Sequence, residues 1–98
     1  MYGTIARMRL KPGMDERILQ FSRDLERVQI PGSVASYAYR MDTEPNVYYL
    51  AVVFESKAAY VANANSPDQD ARYRQLLDLL DGEPEWHDGE IVYAYPPH

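Results

Sequence analysis

"NVYYLAVVFE", residues 46–55, decides the fold. Tyr48, Leu50, Val52 and Phe54 point one way, and Val47, Tyr49, Ala51 and Val53 the other. Its alternation and its many β-branched and aromatic residues read as a strand. Both faces are apolar, so both must be covered. In a chain of 98 residues, helices supply one covering layer. A second subunit is the expected source of the other.

Just upstream, "DTEPN" is a short link to "VASYAYRM" (34–41), which predicts an antiparallel hairpin. Further back, "YGTIARMRLK" (2–11) alternates between Thr4, Ala6, Met8, Leu10 and Ile5, Arg7, Arg9, another strand. "KPG" breaks it. Met14, Ile18, Phe21, Leu25 and Val28 then follow at helical spacing, with Asp15 and Glu16 in the dipole-favoured first turn. Downstream, Ser56 caps "KAAYVANA", and Ser66, Pro67 and Gln69 form a capping-box start for a helix with Tyr73, Leu76, Leu77 and Leu80 as its stripe. Gly82 is a helix stop, Asp88-Gly89 a tight turn, and "EIVYAY" (90–95) the last strand. The order is that of an α+β, ferredoxin-like split βαβ domain over residues 1–98, with an antiparallel sheet whose first and third strands are central.

Composition narrows the function. Ten basic residues face fifteen acids, for a net charge of −5. The two lysines and eight arginines are scattered, so no nucleic-acid partner is expected. No apolar run spans a bilayer and no signal-peptide pattern opens the chain, so a cytoplasmic protein with no membrane partner is expected. Cysteine is absent, which removes disulfides, thiolate metal sites and cysteine nucleophiles. The nine tyrosines suit strands, subunit interfaces and small-molecule pockets alike.

"IARMRLKPGMDERI", "LAVVFESKAAYVANANSPDQDARY" and "EWHDGEIVYAY" together resemble the antibiotic biosynthesis monooxygenase-like family, a branch of the dimeric α+β barrels. The resemblance implies a homodimer whose two sheets pack face to face, with Ile5, Arg7, Tyr49, Ala51 and Val53 meeting the partner. It also implies a pocket between sheet and helices, lined by Ala6, Met8, Leu50, Val52, Phe54 and Tyr60. A haem-degrading branch of the fold carries asparagine, tryptophan and histidine where this chain has Ala6, Phe54 and Tyr73, so no cofactor is expected. Another branch oxidises anthrones and quinols without cofactor or metal. By that likeness Asn63, Tyr73 and Trp86 are the candidate catalytic residues, holding a small aromatic substrate and polarising its oxygen.

Each candidate has a plainer role. Asn63 and Asn65 belong to a weak helix end. Tyr60 and Tyr73 lie on apolar helix faces and suit a core. Arg7 and Arg9 are expected to pair with Glu55. "GEPEWHDGE" (82–90) holds one histidine among acids and reads as a turn into the last strand, with no metal site. Two rivals to an oxygenase remain. A non-catalytic ligand-binding or stress-related dimer predicts a pocket without mutually hydrogen-bonded polar side chains. A degenerate member predicts a pocket filled by Phe54, Tyr60 and Tyr73.

Overall fold

A computed structural model describes residues 1–97 of the chain. The elements are β1 (Tyr2–Arg9), α1 (Asp15–Glu26), β2 (Ser33–Arg40), β3 (Val47–Phe54), α2 (Lys57–Ala64), α3 (Pro67–Leu77) and β4 (Glu85–Glu90). They form an α+β fold with one antiparallel sheet in the order β2-β3-β1-β4. β3 and β1 are central, as two-sided apolarity requires of β3. Their register pairs Ala6 with Leu50 and Met8 with Tyr48.

The helices cover one sheet face. Met8, Leu10, Ile18, Tyr48, Leu76 and Leu80 form the core beneath them. The α1 stripe grades from core to cleft: Ile18 is buried in the core, Phe21 packs against it, and Leu25 and Val28 line a cleft that Ile18 and Phe21 also reach. Tyr48 fastens α1 to the sheet. Its hydroxyl donates to Asp15 Oδ2 at 2.8 Å and accepts from Arg40 Nε at 3.0 Å. Tyr48→Phe keeps the buried ring and loses only these bonds. Losing the bond to Asp15 is expected to lower stability by about 1 kcal/mol, read from the urea unfolding midpoint.

The other sheet face is bare. Across it run the rows Tyr37, Ala51, Ile5, His87 and Tyr39, Tyr49, Arg7, Glu85. Ile5, Tyr37 and Tyr39 are each about half exposed. Arg7 and Arg9 meet Glu44, at 3.4 and 3.8 Å, and not Glu55 as expected. The register explains the difference. Arg7 and Arg9 pair with Tyr49 and Val47 beside the β2–β3 turn, while Glu55 follows Phe54 at the far end of β3.

The last strand also differs from expectation. "EWHDGE" is itself β4, and Asp88-Gly89 makes no turn, since Thr4 pairs with Asp88 and Gly3 with Gly89. Pairing ends where β1 ends: after Tyr2 opposite Glu90, one further bond runs from Ile91 N to Met1 O. Residues 91–95 therefore pass beyond the sheet. Val92, Tyr93 and Tyr95 are each at least 80 % exposed. The apolar alternation of "IVYAY" is real, but beyond Ile91 these residues join no ladder among the described residues.

Ser56 and Ser66 both cap as expected, accepting from Ala59 N and Gln69 N at 3.1 Å. The reciprocal half of the second capping box does not form. The Gln69 side chain turns to Asn63 and Arg72 instead. No helix among the described residues is long and apolar enough to cross a membrane.

Candidate functional site

Between the sheet and the three helices lies an open cleft of about 860 Å³. Its floor is the helix-facing side of the sheet: Thr4 and Met8 from β1, Leu50, Val52 and Phe54 from β3, and Trp86 and Asp88 from β4. Period-two alternation puts these on one face. Tyr60, Asn63, Gln69, Arg72 and Tyr73 form the helical wall. Strand β2 adds only small side chains, Ser33, Ala35, Ser36 and Ala38, and all but Ala35 are exposed. The cleft therefore opens on the β2 side, and its aromatics do not fill it.

The structure brings Asn63, Tyr73 and Trp86 to this one cleft. Tyr73 and Trp86 form a continuous aromatic wall, their ring centroids 6.1 Å apart. Of the expected lining residues, Met8, Leu50, Val52, Phe54 and Tyr60 reach the surface of the cleft. Ala6 is fully buried and lies behind that surface. Phe54 also packs edge-on against Tyr60, with centroids 5.5 Å apart.

Two polar stations interrupt the apolar lining. At the first, the Tyr60 hydroxyl donates to Asp88 Oδ1 at 2.8 Å. Burial, and then the hydrogen bond to this carboxylate, push the Tyr60 pKa up to about 12. The nearby Thr4 hydroxyl acts in the opposite direction, although it lacks hydrogen-bond geometry to any group and is left buried without a partner. Tyr60 thus stays a neutral donor at physiological pH, and Asp88 is held with a second carboxylate oxygen unengaged by any hydrogen bond or ion pair among the described residues.

The second station lies one helical turn along α2. Asn63 Nδ2 donates to Gln69 Oε1 at 3.4 Å. Arg72 donates from Nε to Gln69 Oε1 at 3.2 Å and from Nη2 to Asn63 Oδ1 at 3.3 Å. Asn63 therefore acts first on Arg72.

The sequence places Asp88 in a turn and Gln69 in a capping box, and gives Thr4 and Arg72 no role in the cleft. Asp88 was hidden by the turn reading of its stretch, although Trp86, Asp88 and Glu90 alternate. Gln69 and Arg72 are three residues apart on α3, a spacing that puts them side by side. His87 lies on the opposite sheet face, 3.3 Å from Glu85. No group of three metal-ligating side chains occurs among the described residues, and His98 lies outside them.

A split βαβ sheet with helices on one face and an open apolar cleft between them defines a domain of the ferredoxin-like class. The sequence profile of the antibiotic biosynthesis monooxygenase family matches residues 1–75, and the chain belongs to that family. The fold is similar to that of SnoaB, a cofactor-independent oxygenase from Streptomyces nogalater, solved as an asparagine-to-alanine variant. That match has a TM-score of 0.81 with 18 % identity, and covers 98 % of this chain and 97 % of the other. A protein of unknown function from Nitrosomonas europaea matches with a TM-score of 0.78 at 20 % identity, over 99 % and 94 % of the two chains. A conserved protein from Methanosarcina mazei matches at 0.77 and 16 % identity, over 90 % and 89 %. No functionally curated protein matches the chain significantly.

Proposed function

We propose that this chain is a cofactor-independent oxygenase acting on an electron-rich aromatic of the anthrone or quinol type. The observation that carries this reading is the Tyr60–Asp88 hydrogen bond, 2.8 Å long, at the wall of an open apolar cleft. A non-catalytic pocket is expected to lack such a mutually hydrogen-bonded pair, and a degenerate one would be closed.

Such a substrate needs little from the protein. It must lose a proton, stay oriented and meet dioxygen away from water. Its ring lies against Tyr73 and Trp86. Asp88, held by the Tyr60 hydroxyl, takes the proton from the ring methylene of an anthrone. The resulting anion passes electrons to dioxygen and couples with it to a peroxide. The second C–H bond then breaks as the O–O bond does. The carbon loses two hydrogens and four electrons; one oxygen atom becomes the carbonyl and the other leaves as water, carrying the proton Asp88 had held. Asn63 contributes through the second station, which orients the anionic end of the ring system.

Oxygen uptake by purified, metal-free protein over a panel of anthrones and hydroquinones tests the proposal. Turnover above the protein-free control is expected for at least one of them. Rates equal to that control across the panel would count against it.

The same reading makes residues 1–98 one domain of a cytoplasmic homodimer, joined through the bare sheet face. Support comes from the half-exposed Ile5, Tyr37 and Tyr39 on that face and from the exposed Val92, Tyr93 and Tyr95 beyond β4. Sedimentation at micromolar concentration is expected to give twice the chain mass of 11.3 kDa. Replacing both Tyr37 and Tyr39 by glutamate is expected to give a folded monomer. A monomeric wild type would exclude the face-to-face dimer.

A further inference from the structure

Arg72 is a cation set up for an anion that the chain itself does not provide. It is half-buried, in a chain whose net charge is −5. Yet among the described residues no carboxylate lies within 4 Å of its guanidinium. Asp70, two residues earlier on the same helix and also at the cleft, is taken by Arg74 at 3.0 Å. What Arg72 does touch is neutral: the amide oxygens of Gln69 and Asn63. Those two bonds occupy Nε and Nη2, the side-on edge of the guanidinium. They aim the group without cancelling its charge. The end-on edge, Nη1 with the second N–H of Nη2, is left unengaged. Two parallel donors on a planar cation match a carboxylate.

We propose that Arg72 is the anion-recognising residue of the cleft, and that the ligand is an aromatic carboxylic acid with a ring hydroxyl. The hydroxyl follows from the first station, where Tyr60 holds Asp88. Tyr60 and Asn63 are three residues apart on α2, hence one turn apart on the same face. Both line the cleft. A flat ligand along that face meets Asp88 and Tyr60 at one point and Arg72 at the other, with Val52, Leu50 and Trp86 against its rings. This assignment rests on the cleft being the ligand site of the proposed oxygenase. It narrows the substrate class to acids.

The test is a binding measurement that needs no turnover. The probe is 6-hydroxy-2-naphthoate, compared with its methyl ester, followed by naphthol fluorescence at low salt. The wild type is expected to bind the acid about 10-fold or more tighter than the ester. In Arg72→Gln that ratio is expected to fall to about one, and Arg72→Lys is expected to retain part of it. Gln69→Glu leaves Arg72 in place but gives it an internal counter-ion, and it too is expected to erase the preference. This keeps the test intact if Arg72→Gln folds poorly. Equal binding of acid and ester by the wild type, binding of neither, or a preference surviving in Arg72→Gln each overturns the assignment. Oxidation of neutral anthrones with no acid preference would leave the oxygenase standing and remove this inference. Arg72-dependent acid binding without oxygen uptake on any substrate would do the reverse.

Discussion

Asp88→Asn is expected to slow oxygen uptake by about 10²- to 10⁴-fold, the usual span for losing a positioned general base. The substitution is nearly isosteric, and its amide oxygen can still accept from Tyr60, so the 2.8 Å contact and the cleft survive. Only the ability to take a proton is lost. The deficit is therefore expected in kcat more than in KM. It is also expected to shrink as pH rises, because the substrate then ionises without help. Tyr60→Phe separates holding the base from being the base: it leaves the carboxylate free to swing, and a smaller loss is expected. A full wild-type rate in Asp88→Asn would remove Asp88 from the mechanism, whatever the fate of Tyr60.

Gly3→Ala is expected to have the largest effect on stability. Gly3 is buried on β1, between β3 and β4, with Val53 and Gly89 as its partners. A Cβ there would overlap the carbonyl oxygen of Val52 and sit 3.0 Å from its carbonyl carbon. Both atoms are backbone, so no rotamer change relieves the overlap. The two central strands would have to part locally. A loss of about 3 kcal/mol is expected, which for a chain of this size lowers Tm by on the order of 15 °C. Gly89 is the control. It lies directly opposite, but a Cβ there meets nothing within 4 Å, so Gly89→Ala is expected to stay within about 0.5 kcal/mol. Thermal unfolding of the pair decides the matter, and equal melting temperatures would disprove the packing argument.

The sheet was legible in the sequence because its signal is strong at the centre. β3 is apolar at every position, and only a central strand with covered faces has reason to be. β1 and the helix starts at Ser56 and Ser66 were equally plain, since alternation and capping are local rules. β4 was not legible, and for a physical reason. It is an edge strand whose six residues are all exposed, so hydrophobic alternation, the signal being sought, has no cause to exist there. The apolar "IVYAY" beside it carries that signal, so the alternation points to residues 90–95 while the strand is Glu85–Glu90. The cleft was legible as far as single side chains go: Asn63, Tyr73 and Trp86 do share it. Its wiring was not. Asp88 with Tyr60 spans 28 positions and Arg72 with Asn63 nine, and nothing local in either stretch announces its partner. Glu44 in place of Glu55 is the same lesson, because register alone decides which end of β3 the arginines reach.

The polar edge of the sheet has a consequence for association. Glu85, Asp88 and Glu90 put three carboxylates on a strand of six residues, and β4 is one of the two strands with an unpaired side. Two copies joining edge to edge along β4 would bring these acids together around a newly formed ladder of backbone bonds. Repulsion opposes that route to open-ended polymers. The flat side of the sheet carries no such row of unpaired backbone groups, so association there would give strand addition no starting point.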